Sequence, residues 1–297
     1  MSREQRSAVD EMLRKAPKSN APQSVEQMRE SFAGLMQLFP VPPARATDIQ
    51  IADRPAVLVE PEGQSRPGTI LYFHGGSFIL GSPQTAMGLT AGLVNRTGYR
   101  AISLDYRLAP EHPFPAAIQD GVAAYRSLLE DGLSAGSIVF AGDSAGGGLT
   151  VTTTLAARDA GLPVPAALVA FSPGLDHTRS GASMQSKEEL DPFFTREGMG
   201  RTGALYLAGQ DPHQPLTAPA VYAGLSGFPP MLLQVGTNEM LLDDSVRLAE
   251  RAREADVDVI LDVTAGVPHV FQAFIGQIDE ADHALARAAL FISQHLR

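Results

Sequence analysis

No cysteine occurs among the 297 residues, and its absence excludes disulfides, thiolate metal sites and a cysteine nucleophile. Basic clusters are missing as well. Lys and Arg number 23 against 33 Asp and Glu, and the net charge of −10 repels a polyphosphate, so nucleic acid is not an expected partner. No apolar run reaches the length of a membrane span. The segment Met1 to Lys18 mixes charges of both signs with Ala, Leu and Ser and lacks an apolar h-region, so no signal peptide is expected and the expected location is cytoplasmic. Neither G-x-x-x-x-G-K-[ST] nor G-x-G-x-x-G follows a predicted strand, which argues against a nucleotide-binding turn.

What is present is the patterning of a folded chain. With 44% hydrophobic and 19% charged residues, the composition is globular rather than disordered. Short apolar runs fall at Thr69–Phe73, Arg100–Leu104, Ser137–Ala141, Ala166–Phe171, Met231–Val235 and Val257–Val263. Between them Met87–Arg96, Ala116–Glu130, Gly147–Asp159, Leu241–Ala255 and Ala281–His295 repeat apolar residues at helical spacing. This rhythm predicts an α/β chain with a doubly wound parallel sheet. Near the front, Asp48–Ile51 and Ala56–Val59 flank a turn at Asp53-Arg54-Pro55 and read as a hairpin.

Two segments break the rhythm. Residues 1–43 are helical in pattern, with Met28, Phe32, Leu35, Met36 and Phe39 on one face, and residues at about 175–227 are rich in Gly, Pro and polar side chains. That apolar face is either plain core or the lining of a pocket, in which case both segments form a cap and Met adapts to varied ligands. The domain division is therefore an N-terminal cap over 1–43 and a catalytic domain over 44–297 carrying the cap insertion at about 175–227.

The strongest chemical signal is Gly142-Asp143-Ser144-Ala145-Gly146, directly after one apolar run and before a helical pattern. This is G-x-S-x-G in the strand–turn–helix setting of a nucleophile elbow. A serine hydroxyl needs a base in hydrogen-bond reach and a group that steadies the base. Among the histidines, His283 and His295 fall in the terminal helix, His177 and His213 in the insertion as expected surface residues, and His112 in a proline-rich turn. His269 follows the last apolar run, on a loop where open α/β sheets collect functional groups. The acid is expected on the loop after Met231–Val235, where Glu239 comes first and Asp243 is the fallback. Asp243 and Asp244 would sit in the first turns of the next helix, favourable to its dipole. Oxyanion donors are expected from the backbone of Gly75, Gly76 and Ala145, the first two in His74-Gly75-Gly76-Ser77 after Thr69–Phe73.

Together these residues resemble the bacterial hormone-sensitive-lipase-like (family IV) esterases of the α/β-hydrolase superfamily. The resemblance runs from about Thr69 to the C-terminus. It rests on His74-Gly75-Gly76, Asp105-Tyr106-Arg107-Leu108-Ala109-Pro110-Glu111, the Ser144 elbow, Asp191-Pro192 and Pro268-His269-Val270-Phe271. It implies an eight-stranded, mostly parallel sheet with helices on both faces, a helical cap, no cofactor or metal, and hydrolysis of short-chain carboxylic esters through Ser144, His269 and Glu239. Tyr106 to Pro110 would brace the active-site loops. Two positions depart from the family pattern: Ser77 stands where a third glycine or alanine is usual, and Glu239-Met240 where Asp-Pro-Leu is usual. A lactone or N-acetyl hydrolase shares this chemistry, and a non-catalytic ligand-binding scaffold is the rival of another class. The final strand, Val257–Val263, would lie at the sheet edge, and a homodimer paired through it is expected.

Overall fold

The apolar runs become strands whose side chains alternate between two helical layers, as the period of two along a strand requires. The computed structural model describes residues 2–15 and 23–296. Met1 and residues 16–22, within the expected segment 1–43, and Arg297, within 44–297, lie outside the described residues. The strands are β1 (Arg45–Ile51), β2 (Arg54–Glu60), β3 (Arg66–Phe73), β4 (Tyr99–Leu104), β5 (Ile138–Asp143), β6 (Ala167–Phe171), β7 (Met231–Gly236) and β8 (Val259–Thr264). They form one sheet in the order β1-β2-β4-β3-β5-β6-β7-β8. β2 runs antiparallel to both β1 and β4, and the remaining pairs are parallel.

On one face Leu71, Phe73, Phe140, Leu168 and Ala170 pack against α4 (Ala116–Glu130), α5 (Ala145–Asp159) and α9 (Leu242–Glu254). On the other, Ile70, Tyr72, Val139, Val169 and Phe171 meet α3 (Met87–Thr97) and α10 (Asp279–His295). Burial on both faces explains why the central strands read as unbroken apolar runs. The remaining helices are α1 (Ser2–Lys15), α2 (Val25–Met36), and α6 (Ser183–Ser186), α7 (Arg196–Leu207) and α8 (Pro219–Tyr222) in the insertion. Ser24 caps α2, its side chain accepting from Gln27 N while Gln27 reaches back to the Ser24 N–H, a reciprocal capping box. Among the described residues no helix is long and apolar enough to cross a membrane.

Several boundaries differ from the sequence reading, three of them for a clear physical reason. Ile51 pairs with Arg54, so the hairpin turn is Ala52-Asp53, both at positive φ (49° and 60°), while Arg54 and Pro55 belong to β2. β5 continues to Asp143, which pairs with Phe171, and α5 starts at Ala145, because the turn between them is a single residue, Ser144. The last strand begins at Val259 rather than Val257, since the Val257 N–H is spent on the Ala252 carbonyl at the end of α9.

The chain leaves β3 toward β4 on one side, and β5 lies on the other. Connections diverge at this point, which opens a crevice at the C-terminal ends of the two strands. The register Phe73↔Gly142 sets the His74–Ser77 loop beside Ser144.

Candidate active site

Ser144 sits at φ 52°, ψ −118°, between strand and helix, a conformation costly for a non-glycine residue. Its neighbours make it attainable. A Cβ on Gly146 would overlap the Phe73 carbonyl oxygen, and one on Gly142 would stand 2.5 Å from the Gly146 backbone. Only glycine at both positions lets the elbow lie against β3.

His269 and Glu239 come from the loops after β8 and β7. His269 Nε2 lies 2.9 Å from Ser144 Oγ, and Nδ1 lies 2.8 Å from Glu239 Oε2. With Nδ1–H donating to the carboxylate, Nε2 is the acceptor for the serine hydroxyl. All three residues are buried. Burial pushes the imidazole toward its neutral form, but the hydrogen bond and charge of Glu239, with the charges of Asp191 and Asp143, outweigh it and raise the His269 pKa above its ordinary value.

Glu239 is itself held. Its Oε1 accepts from Ser172 Oγ at 2.8 Å and from Gly236 N at 2.6 Å. The Ser172 hydroxyl in turn accepts from Val270 N at 2.9 Å, so one side chain fixes both the acid and the residue after the base. Asp191 accepts from Met240 N at 2.9 Å and from Phe193 N at 2.8 Å, tying the acid loop to the insertion. Asp243, the fallback acid, is turned away: its Oδ2 accepts from Ser183 N at 2.9 Å. Asp244 accepts from Leu175 N and Asp176 N and so anchors the loop after β6.

Among the described residues no hydrogen bond occupies the N–H of Gly76, Ser77 or Ala145. Gly75 lies against the Asp143 carboxylate, and its backbone favours the charged form of that group. Burial raises Asp143 to about 6, opposed by Tyr72, whose hydroxyl donates to Oδ1 at 2.7 Å, by the charge of His269, and by Gly75. Ser77 N, which the sequence reading did not select, is a further donor without a partner beside Gly76 N among the described residues. Tyr106 O–H donates to the His74 carbonyl at 2.7 Å and its ring stacks on His74 at 4.2 Å, so the loop is braced from the Tyr106–Pro110 stretch.

Above Ser144 and His269 lies a cavity of about 360 Å³. Met28, Phe32, Leu35, Met36 and Phe39 line it from α2 and the residues after it, and Phe193, Phe194 and Met199 from the insertion. His177 is not the solvated surface residue expected from sequence. Its ring lies 5.0 Å from Tyr206 and 5.9 Å from Phe78, and burial, with the charge of Arg179, lowers its pKa to about 3. Ser172 carried no local motif that would single it out, and Asp143 was visible only as the variable position of the Ser144 elbow. Asp191 was visible only as part of Asp191-Pro192.

The profile of the alpha/beta hydrolase fold family matches residues 70–273. An acetyl-hydrolase of Streptomyces hygroscopicus is 42% identical over 224 residues, covering 75% of this chain and 75% of its own length. An esterase of Acinetobacter venetianus is 36% identical over 271 residues, covering 89% and 87%. The crystal structure of an esterase from the bacterial hormone-sensitive lipase family superposes with a TM-score of 0.94 at 36% identity and covers 99% of each chain. The chain belongs to the α/β-hydrolase fold family, among the hormone-sensitive-lipase-like esterases. Its chemistry is hydrolysis of carboxylic esters, the activity of an esterase or acetyl-hydrolase.

Proposed function

We propose that this protein is a serine carboxylesterase for short acyl esters of apolar alcohols, with Ser144 as nucleophile, His269 as general base and acid, and Glu239 as the residue that orients and charges the imidazole. The observation that carries this reading is the continuous chain from Ser144 Oγ through His269 to Glu239, at 2.9 Å and 2.8 Å, on the floor of an apolar cavity.

Ser144 Oγ attacks the ester carbonyl as its proton passes to His269 Nε2. The tetrahedral oxyanion is held by the N–H groups of Gly76 and Ala145, with Ser77 N as the further donor, and by the N-terminus of α5. His269 then gives its proton to the alcohol oxygen as the acyl C–O bond breaks. Water repeats the sequence on the acyl-enzyme: its proton goes to His269 and then to Ser144 Oγ as the acid leaves. Glu239 accepts from Nδ1–H and steadies the imidazolium. No metal or cofactor takes part in this scheme.

His269 must protonate the leaving alcohol, and it lines the 360 Å³ cavity, so the alcohol occupies that cavity. α1, α2 and the insertion at about 175–227 act as its cap. The substrate is a small molecule.

Ser144→Ala and His269→Ala should each lower turnover by a factor on the order of 10⁴–10⁶ with the circular dichroism spectrum unchanged. A fluorophosphonate should label the parent enzyme at Ser144. A folded Ser144→Ala protein that hydrolyses a butyrate ester within tenfold of the parent would exclude the assignment, and absence of labelling would favour a ligand-binding scaffold.

A further inference from the structure

A second cavity, of about 30 Å³, opens on the other flank of Ser144, between Ala145, Phe78 and Phe194, with His177 and Arg179 in its wall. His269 does not line it. Since one water fills roughly 10–15 Å³ on this measure, the space suits about two heavy atoms. If the alcohol leaves past His269, the acyl group lies on this flank. This step rests on the function proposed above.

Two polar groups in the wall have no partner. Arg179 makes no side-chain hydrogen bond and no ion pair within 4.0 Å among the described residues, although the negative charges of Asp176 and Asp244 act on it through space. Those acids are committed elsewhere. Asp176 accepts from the N–H groups of Thr178 and Ser180 and pairs with Arg247 at 3.2 Å, and Asp244 accepts from Leu175 N and Asp176 N. His177 Nδ1 is buried and unpartnered. Their polar ends approach each other beside Gly203 of α7, next to Thr202 of the lining. A Cβ at Gly203 of α7 would stand 3.6 Å from Arg179 Nη2 and 3.9 Å from His177 Nδ1, so glycine there leaves room for the two side chains together.

Arg179 is half-buried, so its guanidinium gives up water when the cavity fills, and a ligand that supplies an acceptor offsets that loss. An aliphatic acyl chain cannot supply it. We propose that this cavity is the acyl site and that it selects short acyl groups carrying an oxygen acceptor one or two atoms beyond the carbonyl, such as 2-hydroxyacyl groups, through Arg179. Arg179 is the donor, its guanidinium being permanently charged.

Phenyl hydroxyacetate and phenyl propionate test this directly, because their acyl groups are isosteric and differ by a hydroxyl in place of a methyl. Values of kcat/KM are divided by the hydroxide-catalysed rate constants of the same esters to remove intrinsic reactivity. The parent enzyme should prefer the hydroxyacetate by about tenfold or more, since a site built to hydrogen-bond a hydroxyl discriminates against the analogue lacking it. Arg179→Leu should bring the normalised ratio to within about twofold of one, and Arg179→Lys should keep a preference between those of the parent and the leucine variant. A parent ratio near one overturns the proposal whether or not either variant folds, as does a folded Arg179→Leu enzyme with the parent's ratio. Ser144→Ala separates this from the triad: Ser144-dependent turnover with a ratio near one leaves the triad standing and removes acyl selection, whereas Ser144-independent turnover removes both.

Discussion

Ser172 Oγ donates to Glu239 Oε1 at 2.8 Å across 67 residues of sequence. Both residues are completely buried, and Ser172 holds an unusual positive φ of 46° at the end of β6. The bond removes rotational freedom from the longer carboxylate arm, and the same hydroxyl receives the N–H beside His269.

Ser172→Ala should therefore lower kcat by roughly 5–30-fold, the loss of about 1–2 kcal/mol of hydrogen bonding at the acid. A purely structural role would leave the pH profile alone. Removing a donor makes the Glu239 carboxylate more basic toward His269, so the acidic limb of kcat/KM should move to higher pH. An unchanged profile, or a shift to lower pH, would contradict this account.

The raised pKa of His269 fixes a second expectation. Activity should rise with pH as the imidazole loses its proton, with a midpoint above the ordinary value of 6.5, and then level off. Glu239→Gln removes the charge that raises this pKa, so turnover should fall and the midpoint move down. Asp243→Asn should change neither by more than about twofold, because Asp243 faces Ser183 N. If Asp243→Asn proves the more damaging change, the acid is Asp243.

Arg29 joins α2 to the body of the enzyme. It pairs with Glu111 at 2.7 Å and also donates to the carbonyls of Ile79 and Ala109 at 2.9 Å and 3.1 Å. The ion pair is part-exposed and contributes little by itself, about 0–1 kcal/mol, whereas the carbonyl bonds set the angle of the helix. Arg29→Ala should raise KM for esters of bulky apolar alcohols by roughly 3–10-fold with a smaller change in kcat. Glu111→Gln should do much less. Equal effects from both substitutions would assign the work to the ion pair.

Among the described residues β8 pairs only with β7 and closes one edge of the sheet. Ile260 and Val263 on it are 52% and 44% exposed, an apolar edge of the kind that recruits a second strand. A homodimer paired through β8 across a two-fold axis is expected. Light scattering after size exclusion should give a dimer at micromolar concentration, and Ile260→Arg with Val263→Arg should yield monomer. A monomeric parent, or a dimer untouched by both substitutions, would refute the edge interface.

The βα rhythm, the elbow and the loops bearing Ser144, Glu239 and His269 were legible in the sequence because each is written in local periods and short glycine-bearing turns. The boundaries that moved did so where a long-range pairing decided them, as with Asp143 against Phe171 and Ile51 against Arg54. The sequence ranked Glu239 ahead of Asp243 by its place on the turn, but the contact of its carboxylate with His269 and the reach of Ser172 and Asp191 to the acid loop, from 67 and 49 residues away, are tertiary. No spacing rule encodes such contacts. The approach of Asp143 to Gly75 and the convergence of His177 and Arg179 on Gly203 are likewise products of folding: they arise because the register of the sheet and the packing of α7 bring unrelated loops to one end of the strands, where burial decides which polar groups find partners.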